Sequence, residues 1–105
     1  MNKYNIKILA SAFKDLENIF IFYNYNLNHT YAYKLILKIM QEIYSLKIFP
    51  YSNPIYHIQE NIVLRKRLVY KRYLIIFEVA SNFILIYHIF DGCRNLNPAK
   101  TFKNI

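Results

Sequence analysis

Five cations crowd into eight residues: Arg65, Lys66, Arg67, Lys71 and Arg72, with no carboxylate between Glu60 and Glu78. Guanidinium groups present rigid N–H forks that match phosphate and carboxylate oxygens, so such a cluster suits the holding of an anion. Tyr70 and Tyr73 lie among the cations and add ring faces for stacking and hydroxyls for hydrogen bonds. If residues 62–69 form a strand, Arg65 and Arg67 leave the same face, because side chains alternate. Lys71 and Arg72 then sit at the following turn, and Arg94, just past the last apolar run, is a candidate to reach the same region. The expected site is an anion-binding groove made by Arg65, Lys66, Arg67, Lys71, Arg72, Tyr73 and Arg94. A solvated strand face that protects a sheet edge uses the same residue types, and local spacing does not separate the two uses. The charge of the whole chain favours the groove.

Other chemistries find little support. His88 alternates with Ile86 and Phe90, the pattern of a packed, hydrogen-bonded histidine rather than of an acid or base open to a substrate. His29 and His57 stand alone in loop or cap positions, and with a single cysteine the chain has no metal-ligand spacing, so no metal is expected. Gly92, the only glycine, is placed to turn the chain after a strand and belongs to no phosphate-binding loop. Cys93 has no histidine base near it in sequence except His88, which argues against a thiol nucleophile. No cofactor is expected.

The chain has 105 residues, enough for one domain with its own core, and 55% hydrophobic residues give it the apolar area to fold without staples. With 14 Lys and Arg against 6 Asp and Glu the net charge is +8, so the natural partners are nucleic acid, an acidic protein or an anionic surface. The richness in Ile, Lys, Asn, Tyr and Phe also fits a codon bias toward A and T, which would supply part of that charge. The lone thiol suits a reducing compartment, and cytoplasm is the expected location. Residues 1–10 lack the unbroken apolar core of a secretory signal, and no run of about 18 apolar residues exists, so no membrane insertion is expected.

The elements that must position the cations follow from periodicity. Residues 4–8 alternate as a strand. Ser11 is the expected cap of an amphipathic helix carrying Phe13, Leu16, Ile19, Phe20 and Tyr23 on one face, with Asp15 and Glu17 in its opening turn. Phe22 and Tyr25 fall off that face and suit a partner contact. Asn-rich residues 24–28 break the helix, and a second begins near Thr30 with Ala32, Leu35, Ile36, Ile39, Ile43 and Leu46 on its apolar side. Phe49-Pro50 ends it, and a loop of about ten residues follows. Three runs, 62–69, 72–79 and 83–90, are joined by short polar breaks and must be antiparallel neighbours. The last two are apolar at nearly every position and form the centre of the sheet. Strand alternation points Arg72 away from the face of Tyr73. The expected fold class is α+β: strand, helix, helix, strand, strand, strand, with a helical hairpin on one face of a mostly antiparallel twisted sheet, all in a single domain with a polar tail at 96–105.

This order resembles the RelE/ParE family of toxins from bacterial type II toxin–antitoxin pairs. The resemblance rests on the opening strand followed by Ala12, Asp15, Leu16 and Ile19; on Leu46-Lys47-Ile48-Phe49-Pro50; on the basic strand around Arg67; on the run from Lys71 through Tyr73 and Phe77 to Val79; and on Ile89-Phe90-Asp91-Gly92-Cys93-Arg94-Asn95. It implies a toxin silenced by an acidic antitoxin that wraps the basic groove, the two assembling as a hetero-oligomer. It also implies one of two targets: DNA gyrase, inhibited by binding, or messenger RNA on the ribosome, cleaved without metal. For the second, Arg67, Arg72 and Arg94 are the candidate catalytic residues. The position matching a strand arginine of the RNA-cleaving branch is Leu74, and the tyrosine that branch carries beyond the match to Arg94 is missing. The long helical hairpin and the Phe-Pro helix end look more like the gyrase-directed branch. A plain basic RNA-binding module remains the third reading.

Overall fold

Alternating Asn5–Ile8 forms strand β1, and the chain then turns at once into helix α1, Ala10–Asn26. The computed structural model describes residues 4–91. The helix begins two residues earlier than the sequence suggests, with Leu9 as its cap. Ser11 therefore lies inside the first turn, where its hydroxyl donates to the carbonyl of Tyr87 and ties α1 to the sheet. Asp15 and Glu17 consequently fall beyond the opening turn, which holds no acidic residue. The asparagines at 24 and 26 do not break α1. Asn26 is accommodated because its Nδ2 donates to the Phe22 carbonyl at 2.7 Å. Asn28 caps helix α2, His29–Ser45, by accepting from the Tyr31 amide at 2.8 Å.

Four strands follow rather than three. A single 3₁₀ turn, Pro50–Ser52, leads to strand β2, Ile55–Gln59, where the sequence suggests only a loop. The others are β3 (Ile62–Val69), β4 (Tyr73–Ala80) and β5 (Phe83–Asp91), close to the expected bounds. The sheet order is β1-β5-β4-β3-β2, antiparallel throughout except that β1 runs parallel to β5. The fold is α+β, with both helices on one face of the sheet.

The core lies between the hairpin and that face. Ala12, Leu16, Ala32, Leu35, Ile39 and Ile43 of the helices meet Val69, Tyr73, Ile75, Phe77, Ile84, Ile86 and Ile89 of the strands. Ile86 and Ile89 both reach it although three residues apart. A bulge lets them do so, since Ile76 pairs with His88 and Phe77 with Ile86, leaving Tyr87 as the extra residue. The opposite face carries no helix, and it buries Leu64, Ile76 and Tyr87 under their own neighbours, Tyr56, Leu74, Leu85 and Phe90 among them. No helix among the described residues is long and apolar enough to cross a membrane.

Candidate functional site

The basic residues divide between two places. In the first, β3 turns Arg65 and Arg67 toward the helix side, as alternation demands. Arg67 Nε donates to Glu42 Oε1 of α2 at 3.0 Å, and its terminal nitrogens reach Asn53 Oδ1 at 3.3 Å and Ser45 Oγ at 3.4 Å. Lys38, one turn back along α2, meets the other oxygen of Glu42 at 3.2 Å. Burial pushes the Glu42 carboxyl up, but the hydrogen bonds and charges of Lys38 and Arg67 outweigh it and hold the group below its ordinary 4.5. Arg65 donates to the carbonyls of Asn53 at 2.8 Å and Tyr51 at 3.3 Å and lies over the Tyr51 ring at 5.1 Å. Both arginines thus fasten the α2–β2 connection to the sheet.

The second place is a groove at the far end of the sheet, lined by Asp15, Asn18, Ile19, Phe22 and Tyr23 of α1 and by Arg72, Tyr73, Ile89, Phe90 and Asp91. Its opening holds about 450 Å³. Arg72 crosses from the β3–β4 turn to Asp91 at the end of β5, donating through Nε at 3.3 Å and a terminal nitrogen at 3.1 Å. The Asp91 carboxylate, first through its hydrogen bonds and also through its charge, holds the guanidinium proton still more firmly than usual, and the guanidinium lies over the Tyr73 ring at 5.5 Å. Arg72 is not directed away from Tyr73, because it precedes β4 and the pleat does not constrain it. On the groove floor the buried Tyr73 hydroxyl donates to Tyr23 at 2.8 Å. Burial, then this bond, raises the Tyr73 pKa well above its ordinary value. At the side, Asp15 Oδ2 accepts from the Ile89 amide at 2.9 Å and sits 2.8 Å from His88 Nδ1. His88 is half-buried and stacks on Phe90, so it is hydrogen-bonded as expected but not enclosed.

Of the remaining site residues, Lys66 leaves the opposite, helix-free face, as its position between Arg65 and Arg67 requires. Tyr70 and Lys71 are exposed at the turn, both with positive φ, near 55°. Lys38 reaches over the Tyr70 ring at 5.9 Å. Leu74 packs among the apolar residues of the helix-free face. Arg94 and Cys93 lie outside the described residues. No group of three metal-ligating side chains occurs among the described residues.

Sequence reasoning misses the partners of the arginines: Glu42, Asn53 and Asp91. One signal was available. The chain has only 6 carboxylates for 14 cations, and Asp15, Glu17, Glu42, Glu78 and Asp91 all hold internal partners. Acids this scarce are placed where the fold needs them.

The sequence matches no family model and no curated protein. Among solved structures the chain is similar to one described as the chromosomal ParDE TA system from P. aeruginosa. The TM-score is 0.72, over 85% of this chain and 96% of that one, at 19% identity. The two share a fold. The ParDE chain is matched nearly end to end, which makes the likeness one of whole architecture rather than of a common motif.

Proposed function

We propose that the chain is the toxin of a type II toxin–antitoxin pair, kept silent by an acidic antitoxin, and that it arrests growth by binding DNA gyrase. The observation that carries this is the shared fold, which spans 96% of a chain from a ParDE toxin–antitoxin system. The net charge of +8 supports an acidic partner independently of the fold. Arg72 and Tyr73 of the groove and exposed Lys71 at the turn beside it are the residues proposed to meet the antitoxin, with Arg94 proposed as a further contact. Lys66, on the helix-free face, and Arg65, fastened to the α2–β2 connection, lie apart from them.

Binding is favoured over cleavage by what the candidate catalytic arginines are doing. Cutting RNA without metal needs cations free to meet the extra charge on a phosphate. Arg67 is held by Glu42 and Asn53, and Arg72 by both oxygens of Asp91. Leu74, at the position of the strand arginine, brings no charge at all.

The test is expression from a tightly controlled promoter, with and without any short acidic protein encoded beside it, followed by two assays on purified protein. Growth arrest relieved by the acidic protein, with loss of gyrase supercoiling and intact ribosome-bound messenger, is the expected result. Messenger cleavage with normal supercoiling, abolished by Arg94→Ala, would instead make the chain a ribonuclease of the RelE kind.

A further inference from the structure

The connection between α2 and β2 concentrates exposed apolar surface. Ile48, Phe49 and Tyr51 are 68%, 71% and 59% exposed, and Tyr44 and Ile55 on either side are about half exposed. Phe49 holds φ 53° in the left-handed region, which glycine takes without steric penalty and which a β-carbon disfavours. Among the described residues nothing encloses the phenylalanine ring, which is largely exposed. Yet the segment is fastened from beneath. Ser52 Oγ donates to the Phe49 carbonyl at 2.7 Å, and buried Asn53 donates to Pro50 at 3.0 Å while accepting from Arg67. Arg65 adds two further bonds to the backbone. A strained residue held by so many contacts, with an apolar ring facing outward, is an anchor prepared in advance.

We propose that residues 48–51 are the surface by which the chain engages its growth-arresting target, a folded protein that offers an apolar recess rimmed by acidic groups. The assignment rests on the toxin reading and adds to it a place and a complementary surface. Shape selects a folded partner: a rigid projecting ring needs a preformed recess, whereas an antitoxin segment that orders on binding needs a groove to lie in. Charge selects the rim. No acidic residue occurs between Glu42 and Glu60, while Lys47 lies over the Tyr44 ring at 5.6 Å and Arg65 over Tyr51. Nucleic acid fits less well, because bases stacked on the rings of Tyr44, Phe49 and Tyr51 would leave the aliphatic Ile48 and Ile55 uncovered.

Growth arrest on graded induction tests this, with Phe49→Ala, Phe49→Gly, Lys47→Glu and, as a control on an exposed ring elsewhere, Phe83→Ala. Phe49→Gly relieves the backbone, so it keeps the fold even if the alanine variant does not, and thermal midpoints establish that. The expected result is that both Phe49 variants raise the dose needed for arrest by about tenfold or more, the scale of a lost anchor. Lys47→Glu should raise it too, and Phe83→Ala should act as wild type. Arrest by Phe49→Gly at the wild-type dose overturns the assignment of the loop and leaves the toxin reading standing. Arrest by Lys47→Glu at the wild-type dose overturns the acidic rim. If Phe49→Gly instead weakens binding of a labelled oligouridine in proportion to the loss of arrest, the occupant is nucleic acid and the proposal fails. A wild-type chain that arrests nothing removes the toxin reading and this inference together.

Discussion

Tyr73 of β4 and Tyr23 of α1 join hydroxyl to hydroxyl at 2.8 Å, both rings buried, in the gap where the helical hairpin meets the sheet. A buried hydroxyl that loses its partner costs about 1–3 kcal/mol, whereas losing both together costs much less. Tyr73→Phe and Tyr23→Phe should each lower stability by that amount, and the double variant should recover most of one loss. Urea unfolding of the four proteins gives the coupling directly, and strictly additive losses would show that the bond contributes nothing.

The same bond sets an alkaline limit. Burial and the Tyr23 partner keep Tyr73 neutral well above its ordinary 10.0. An acid whose folded pKa is raised gives stability that is complete below the unfolded value and is lost as pH rises through the folded one. Stability should therefore fall with pH above about 10, and Tyr73→Phe should flatten that fall relative to wild type. Tyr87, pushed up to about 12 by burial and by donating to Glu78, contributes in the same direction. Thermal midpoints from pH 8 to 11 measure both.

At the acid end the group that matters is Glu42. Its folded pKa is depressed, so its contribution is complete above 4.5 and is lost as pH falls through the lower folded value. Glu42→Gln should weaken the protein at neutral pH, by about 1–3 kcal/mol for a half-buried charged bond, and by progressively less below pH 4. A variant with the same deficit at pH 3 as at pH 7 would show that Arg67 and Lys38 do not act through the charge.

Arg72 and Asp91 make a geometrically better pair that should matter less to folding. Their side chains are 45% and 25% exposed, and solvent screens such a pair to less than about 1 kcal/mol. Arg72→Ala should leave the unfolding midpoint within that margin while weakening antitoxin binding, if this groove is where the antitoxin lies. A large loss of stability would mean the pair closes the end of the sheet instead.

Why Arg72 and its neighbours were legible, and their partners were not, is a matter of range. Helical and two-residue periods are local, so α1, α2 and the three long strands can be read from spacing in Ala32, Leu35, Ile39 and Ile43 or from the apolar runs around Phe77 and Ile86. Strand β2 cannot. It follows Pro54, has only five residues and shifts register between Ile55 and His57, so no clean alternation survives. The bulge at Tyr87 lies within a run that is apolar at nearly every position, where periodicity carries little information, and it sets His88 opposite Ile76 rather than in the alternation of Ile84 and Ile86. Arg67 with Glu42 and Arg72 with Asp91 are separated by 25 and 19 residues. Only the packed hairpin and the closed sheet bring them together.

Asn53 gives the last test, because its side-chain amide is buried and holds the α2–β2 connection in place. Its amide nitrogen donates to Pro50, its oxygen accepts from Arg67, and its backbone carbonyl accepts from Arg65. Asn53→Ala removes the first two and leaves the third, so it should cost about 1–3 kcal/mol in stability. Loosening should be local. Hydrogen exchange should speed up at the amides of Ser52 and Asn53, which bond to Phe49 and Pro50 within the turn, and should not change in β4 and β5, whose ladder does not depend on the turn. Exchange that accelerates equally in the central strands would mean Asn53 supports the whole sheet, and the segment bearing Phe49 would lose its standing as a separately fastened unit.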